Sequence, residues 1–480
     1  MKIKLLTIFI IVFASNLIYS QDWTLENIDP ATGDGAYEIA SGDLDGDGDI
    51  DIVMATYHYN GGTPIQDYIK WYKNDGTGNF PTMETLSSSI LWVDGLIIAD
   101  IDGQYGDDIV ATSLSQGKLV YFLSDGAGGF GTETPVDDML GEPAQVVAGD
   151  INGDTFTDLV IVDYYNSTSA PAASRVKWYA GNGMGGFTAQ TDIEEDITSP
   201  FTLPYYTDMA DYDGDGDLDV LVGYFSAGQP IEIFYNQFIQ TGSVTWIKDT
   251  VTVNTGSSYL FVVKFADVNN DGQMDVVKVD NTTGDVMWYE KIKNGASTPH
   301  TISDASTIAR PGAIAITDID GDSYNDVVLT DSGTANDAII WFKGASNANP
   351  STTYQLIVNN NYQMFDLTVA DFDGDNDADI ATVGRSSSTV DWIENDLPAL
   401  SINENTISDL TIYPNPTTNI LNFKRSNSEP LDVTIYDVLG KEILSHTINS
   451  NNHINVSALA NGLYTIKINN SNESFKFVKQ

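Results

Sequence analysis

The sequence predicts an all-β chain, a seven-bladed β-propeller followed by a small β-sandwich. Three observations predict it: an acidic nine-residue motif occurs seven times, short strand patterns surround each copy, and charge and patterning change near residue 409. An apolar content of 42% with 11% aromatics is enough to build cores, so the acidity is not that of a disordered chain. With 68 acids against 21 bases, the formal charge of −47 excludes nucleic acid as a partner, because phosphate recognition needs a basic face. Cysteine is absent, which removes disulfides, thiolate metal sites and cysteine nucleophiles together.

Residues 1–20 read as a secretory signal peptide: Lys2 and Lys4 precede the apolar run Leu5 to Phe13, and the small Ser20 precedes Gln21 and Asp22. Nothing later approaches the roughly 18 apolar residues of a membrane helix, so the mature chain is expected to lack a transmembrane segment.

Residues 21–396 are organised by the repeat, whose copies begin at Asp43, Asp100, Asp150, Asp211, Asp267, Asp318 and Asp371. The intervals of 57, 50, 61, 56, 51 and 53 residues are too long for most helical repeats. Each unit brings an apolar strand into an acidic loop, such as Gly42 to Asp51, and a second strand leaves at once, as Ile52 to Thr56 does. A third strand carries an aromatic pair or its relative, from Trp71-Tyr72 in the first unit to Trp392-Ile393 in the last; a fourth is seen best as Val244 to Lys248. Four short strands per unit without a helical period describe propeller blades. The seventh unit stops after Asn395, while Asp22 to Ile28 resembles Thr245 to Val251, so the N-terminal strand is expected to complete the last blade and close the ring.

The acidic loops place oxygen at positions 1, 3, 5 and 9, the way a short loop wraps a hard cation of the calcium kind. The expected metal ligands are Asp43, Asp45, Asp47 and Asp51; Asp100, Asp102 and Asp108, with Gln104 between them; Asp150, Asn152, Asp154 and Asp158; Asp211, Asp213, Asp215 and Asp219; Asp267, Asn269, Asp271 and Asp275; Asp318, Asp320, Asp322 and Asp326; and Asp371, Asp373, Asp375 and Asp379. Of these 28 positions 25 are Asp, and no loop has the Glu at position 12 that an EF-hand uses. Up to seven structural Ca²⁺ ions are expected, because four carboxylates in one short loop repel without a divalent ion among them. The units resemble the FG-GAP or VCBS-type repeats of integrin-α-like propellers over about 375 residues. That resemblance implies the fold, and a range of functions: similar propellers serve as adhesins, lectins and polysaccharide lyases.

Residues 397–408 read as a linker, and residues 409–480 as a neutral module with six acids and six bases. Alternating segments such as Val433 to Lys441 and Leu459 to Lys467 predict a small antiparallel sandwich, immunoglobulin-like in kind. They resemble the C-terminal sorting domain (type A) of proteins exported by the type IX secretion system of Bacteroidota. The resemblance implies the secretion machinery as a partner, passage across the outer membrane, and an extracellular or surface-attached product.

Meander topology puts the acidic loops on one face and leaves the opposite face for a ligand. Tyr57, His58, Tyr59, Tyr164, Tyr165 and Arg175 lie on long extensions toward that face, and Tyr37, Trp92, Glu142, Tyr205, Tyr206, Tyr259, Arg310 and Tyr362 lead into the inner strands. Aromatic faces stack on sugars and anchor peptides, so the set points to a concave site for an extracellular glycan or glycoprotein. No G-x-S-x-G, H-E-x-x-H or phosphate-binding glycine loop is present, and no catalytic residue is assigned. The alternatives are a polysaccharide lyase or glycoside hydrolase using the same face, and a structural surface protein.

Overall fold

The structure, a computed structural model, divides into two units, Met1–Leu397 and Pro398–Gln480. It describes residues 22–33, 35–58, 66–126, 128–166, 173–196, 203–225, 230–251, 262–291, 298–332, 338–359, 364–396, 410–424, 431–436, 441–448, 452–468 and 474–480. The predicted signal peptide and linker fall outside these residues.

Nine sheets form among the described residues, seven in the first unit and two in the second. Each of the seven is an antiparallel meander; sheet 1 runs Ala36–Gly42, Asp51–Thr56, Ile69–Lys73 and Thr82–Ser87. The first strands of the others are Val93–Ala99, Pro143–Gly149, Pro204–Ala210, Val262–Ala266, Pro311–Thr317 and Met364–Ala370. Each of these seven lies beside the first strands of the sheets before and after it, and Met364–Ala370 lies beside Ala36–Gly42. Second strands such as Asp51–Thr56, Asp219–Tyr224 and Asp326–Asp331 are buried along their whole length. Neighbouring sheets cover both of their faces, which is why they read as continuous apolar runs rather than alternating ones.

Sheet 7 takes its outer strand from the start of the chain. Asp22–Asp29 pairs antiparallel with Thr389–Asp396, with Leu25 opposite Ile393. The glycine-rich turn after Tyr72 packs against this sheet: Gly78 has φ +68°, and a side chain there would collide with the Trp392 indole. Two outer edges differ from the sequence pattern. In sheet 4 the fourth strand begins at Trp246 rather than Val244, because the turn Phe238–Thr241 and the Gln237 N–H to Thr245 carbonyl bond occupy the preceding residues. In sheet 3 the edge is split into Phe187–Ala189 and Glu194–Asp196, both pairing with Ala173–Gly181.

In the second unit, Thr411–Tyr413, Ile420–Lys424 and His453–Asn455 form one sheet, and Leu431–Tyr436, Glu442–Ile448, Gly462–Ile468 and Ser474–Lys479 the other. Alternate residues of both, among them Leu421, Phe423, Val433, Ile435, Ile454, Ile466 and Phe477, share one core. Among the described residues no helix is long and apolar enough to cross a membrane.

Candidate metal loops and axial binding site

Every acidic loop joins the first and second strands of its sheet, and its first carboxylate organises the backbone. Asp43 accepts N–H bonds from Gly46 at 2.8 Å and Gly48 at 3.0 Å, and Asp371 accepts from Gly374, Asp375 and Asn376. The loops curl through two left-handed residues, at positions 4 and 6. Position 4 is glycine in six loops and Asn270 in the other, whereas position 6 forces φ of +67°, +73°, +70° and +72° on Tyr105, Thr155, Ser323 and Asn376. A β-branched residue such as Thr155 takes that conformation only where its surroundings impose it.

The curl brings acids together. Ligand atoms of Asp43, Asp45 and Asp47 lie within 4.8 Å of one another, as do those of Asp100, Asp102 and Asp108, of Asp211, Asp213 and Asp219, of Asp318, Asp320 and Asp326, and of Asp371, Asp373 and Asp379. In loops three and five, Asn152 and Asn269 replace the second carboxylate, and Asp154 and Asp271 donate backbone N–H to their amide oxygens at 3.0 Å. The fifth-position acids Asp215, Asp322 and Asp375 each donate a backbone N–H within their own loop. These are hard oxygen donors without sulfur or imidazole, a set that fits a calcium-like cation. In loops one and six an ammonium reaches the cluster: Lys73 pairs with Asp45 and Asp47, and Lys343 with Asp320 and Asp322.

The ninth-position acids do more than face the loop. Asp108 accepts from Ile101 N at 2.9 Å and from Ser124 N at 2.8 Å, and Asp379 does the same with Phe372 and Asn395, so each ties its loop to the third strand. Burial pushes their carboxyls up, to about 7 for Asp51, Asp219, Asp275 and Asp326 and to about 6 for Asp108, Asp158 and Asp379. Four of the loops also dock on the next sheet through their second residue. The carbonyls of Leu44, Ile151, Ile319 and Phe372 accept from Ser124, Asn236, Asn395 and Asn74 at 2.7–2.9 Å, and the Asn74 bond links the first sheet to the last.

A cavity of about 410 Å³ runs along the seven first strands, from Tyr37, Asp94 and Phe365 at the ends away from the acidic loops to Ser41, Ile98 and Thr368. Seven residues at about 3.3 Å each put roughly 20 Å between its mouth and the acidic loops. Tyr37 stacks on Tyr57 at 4.8 Å and meets Phe365 at 4.3 Å; Tyr57 stacks on Trp92 at 5.6 Å. Across the mouth Tyr205 meets Tyr206, Tyr164 and Phe225 at 4.9, 5.3 and 5.3 Å. The buried Asp67 carboxylate fixes the first group: it holds His58 Nδ1 at 2.6 Å and accepts Trp92 N–H at 2.8 Å, while Trp92 Nε1 donates to the His58 carbonyl.

The cavity wall is charged. Asp94 is 2% exposed, and neither of its oxygens closes a hydrogen bond. Burial raises its pKa to about 6, although the approaching Tyr205 and Tyr37 hydroxyls and the Arg385 guanidinium pull it down. Burial and the neighbouring Asp366 and Asp94 hold Glu38 well above the usual carboxylate range. Asp366 is pushed up to about 6 by burial, against N–H bonds from Ile39 and Leu367. Burial also raises Asp208, opposed by Lys264 and the Phe265 N–H at 2.7 Å. Arg385 lies 5.4 Å over the Tyr37 ring and 5.3 Å over Phe365.

The structure therefore brings Tyr37, Tyr57, His58, Trp92, Tyr164, Tyr205 and Tyr206 together, and Glu142 beside Tyr164. Arg175 lies apart, on the third strand of sheet 3, where Asp192 and Glu195 take its guanidinium. Arg310 is exposed, with its backbone N–H bonded to Asp331. Tyr59, Tyr259 and Tyr362, and the Tyr165 side chain, lie outside the described residues. Sequence reasoning missed Asp94, Asp67, Phe225, Phe365 and Arg385. For Asp94 a signal existed: six residues before each loop stand Tyr37, Asp94, Ala144, Tyr205, Phe261, Gly312 and Phe365, one carboxylate among aromatic and small residues.

Among solved structures, a streptogramin B lyase is similar with a TM-score of 0.51 at 15% identity, covering 78% of this chain and 98% of that one. A lectin of Agrocybe aegerita specific for non-reducing terminal N-acetylglucosamine has a TM-score of 0.46 at 16% identity, covering 76% and 92%. At 15% identity the likeness to the lyase is one of fold alone: all-β and propeller-like. No curated protein matches the chain. The model of the secretion system C-terminal sorting domain matches residues 411–480. The model of the FG-GAP-like repeat matches residues 43–103, 150–222, 267–329 and 318–382, over half of the sequence, and the chain belongs to that family.

Proposed function

We propose that the protein is a secreted or cell-surface, calcium-stabilised, seven-bladed β-propeller that binds an extracellular carbohydrate or glycoprotein at its axial mouth. The observation that carries the ligand reading is the stack of Tyr37, Tyr57 and Trp92 beside the axial cavity. Rings held at rigid strand ends offer broad apolar area with a polar rim, the surface on which sugar faces pack. The cavity volume falls within the roughly 300–1,000 Å³ of small-ligand sites. Asp67 holds the stack in place by gripping His58 and Trp92 at once.

Calcium belongs in this reading as a structural ion. Three acids converge in five of the loops and the pattern recurs in all seven, which supports up to seven ions set apart from the aromatic mouth. The sorting domain indicates secretion; we assign its partner as the type IX machinery of Bacteroidota and its sandwich as immunoglobulin-like, with the product released or attached at the surface. A broad glycan array probed with the calcium-loaded protein tests the ligand reading. A selective hit, lost in Tyr57→Ala, is expected; a blank array with folded protein moves the assignment to protein adhesion or a structural surface role.

One observation favours a lyase or hydrolase as the second reading. When His58 Nδ1–H is given to Asp67, Nε2 becomes the basic nitrogen, beside the aromatic stack. Release of unsaturated, ultraviolet-absorbing ends from the bound glycan, abolished in His58→Gln, would establish the lyase.

A further inference from the structure

We infer that the axial cavity selects a ligand bearing an ammonium group, the chemistry of an amino sugar, with Asp94 as its counter-ion. The inference rests on the carbohydrate reading and narrows it to one class. Its first support is Asp94 itself, 2% exposed and lining the cavity, where the Tyr37 and Tyr205 hydroxyls approach it but neither oxygen closes a hydrogen bond. A buried carboxylate in that condition is costly, and natural proteins retain such a group where something outside the chain completes it. What completes a carboxylate with two open oxygens is a donor, and a charged donor best.

The surroundings decide between a neutral donor and a cation. Around Asp94 the wall carries Glu38, Asp208 and Asp366, against the cations Lys264 and Arg385. The wall thus sets four carboxyl groups, Asp94 among them, against two cations. Arg385 is spread over the Tyr37 and Phe365 rings and forms no ion pair with Asp94, so it tempers the field without filling the site. Aromatic walls favour an ammonium twice over, through their apolar area and through the negative ring face. At longer range, residues 21–408 carry a formal charge of −49, a field that draws cations to the mouth and repels uronates. Calcium is a poor occupant here, because it asks for six to eight oxygens and the neighbouring Asp366 and Asp208 already accept the Ile39, Leu367 and Phe265 N–H groups.

Titration calorimetry of the full chain in saturating calcium tests this with glucosamine, glucose, N-acetylglucosamine, glucuronate and butylamine. Glucosamine is expected to bind about tenfold or more tighter than glucose or N-acetylglucosamine, the worth of one charge-assisted contact in a desolvated site. Asp94→Asn should erase that preference, and its melting curve shows whether it is folded. Arg385→Gln, at a partly exposed position, should strengthen glucosamine by removing a competing cation. Equal binding of the aminated and neutral sugars, or a preference that survives in Asp94→Asn, overturns the inference and leaves the carbohydrate reading standing. Tighter binding of glucuronate, lost in Arg385→Gln, overturns it in favour of an acidic sugar. Butylamine bound through Asp94 with every sugar silent would keep the ammonium selectivity and sink the carbohydrate reading. Silence from all five probes overturns the inference.

Discussion

Removing calcium is expected to lower the melting temperature of the propeller unit by roughly 15 °C. Five loops each hold three carboxylates whose ligand atoms lie within 4.8 Å of one another. An ion present at about 100 times its dissociation constant stabilises the folded state by about 2.7 kcal/mol per site, so five sites together give roughly 13 kcal/mol. Unfolding entropy of about 2.1 cal/mol/K per residue gives a unit approaching 400 residues about 0.8 kcal/mol/K, which converts the loss to roughly 15 °C when the ring melts as one body. Salt cannot stand in for the ion, because the acids of a loop are closer than the Debye length of about 8 Å at 0.15 M. Calorimetric scans at pH 7.5 in excess calcium, in EGTA, and in EGTA with magnesium separate the cases. Coincident curves in calcium and EGTA would refute the reasoning, since seven acidic loops would then be stable without a divalent ion.

Three further outcomes are expected. Thr155→Gly relieves a β-branched residue held at φ +73° and should raise stability by up to about 1 kcal/mol in urea titrations, because the glycine's extra chain entropy returns part of the gain. Asn74→Ala leaves the Phe372 and Ile50 carbonyls without their shared donor and should cost about 1–3 kcal/mol, read in the same assay; a cost near zero would deny the link between first and last sheets any weight. Asp94 has a pKa of about 6 in the fold and about 3.9 unfolded, so its contribution to stability is greatest below pH 4 and is lost as pH rises to about 6, by up to about 3 kcal/mol. The groups facing it, Tyr37, Tyr205, Arg385, Glu38 and Asp366, remain in Asp94→Asn, as do the acidic loops. Subtracting the variant's stability–pH curve from the wild type's should therefore leave a fall between pH 4 and 6, and a flat difference would discard the shift.

The acidic loops were legible because their information is local. Positions 1, 3, 5 and 9 lie within nine residues, and the curl that joins Asp371, Asp373 and Asp379 needs only its own left-handed residues. The outer strand of sheet 7 was legible for a different reason: Asp22–Asp29 had to find an edge, and the last unit lacked one. The aromatic mouth was half legible. Tyr37, Tyr57, Trp92 and Tyr205 stood out as large residues near strand starts, whereas Asp94 acquires meaning only when seven strands are aligned side by side. Arg385 was invisible, because it leaves a turn in sheet 7 to lie over Tyr37 of sheet 1. Arg175 misled because a cation on a third strand resembles a ligand group until Asp192 and Glu195 fold against it.

The two ends of each first strand follow opposite rules. At the loop end the leading carboxylates find partners within the chain: Asp43 and Asp371 in backbone N–H groups, Asp108 and Asp379 in one N–H of the loop and one at the end of the third strand, Asp45 and Asp320 in lysines. At the mouth Asp94 is buried with the Tyr37 and Tyr205 hydroxyls near it but neither oxygen closing a hydrogen bond, in a row otherwise made of rings and small side chains. Local consistency is what makes a sequence fold, and it is expected to fail where function requires it. The contrast supports the division of roles proposed above: loops that shape the ring, and a mouth whose buried acid is left to meet something else.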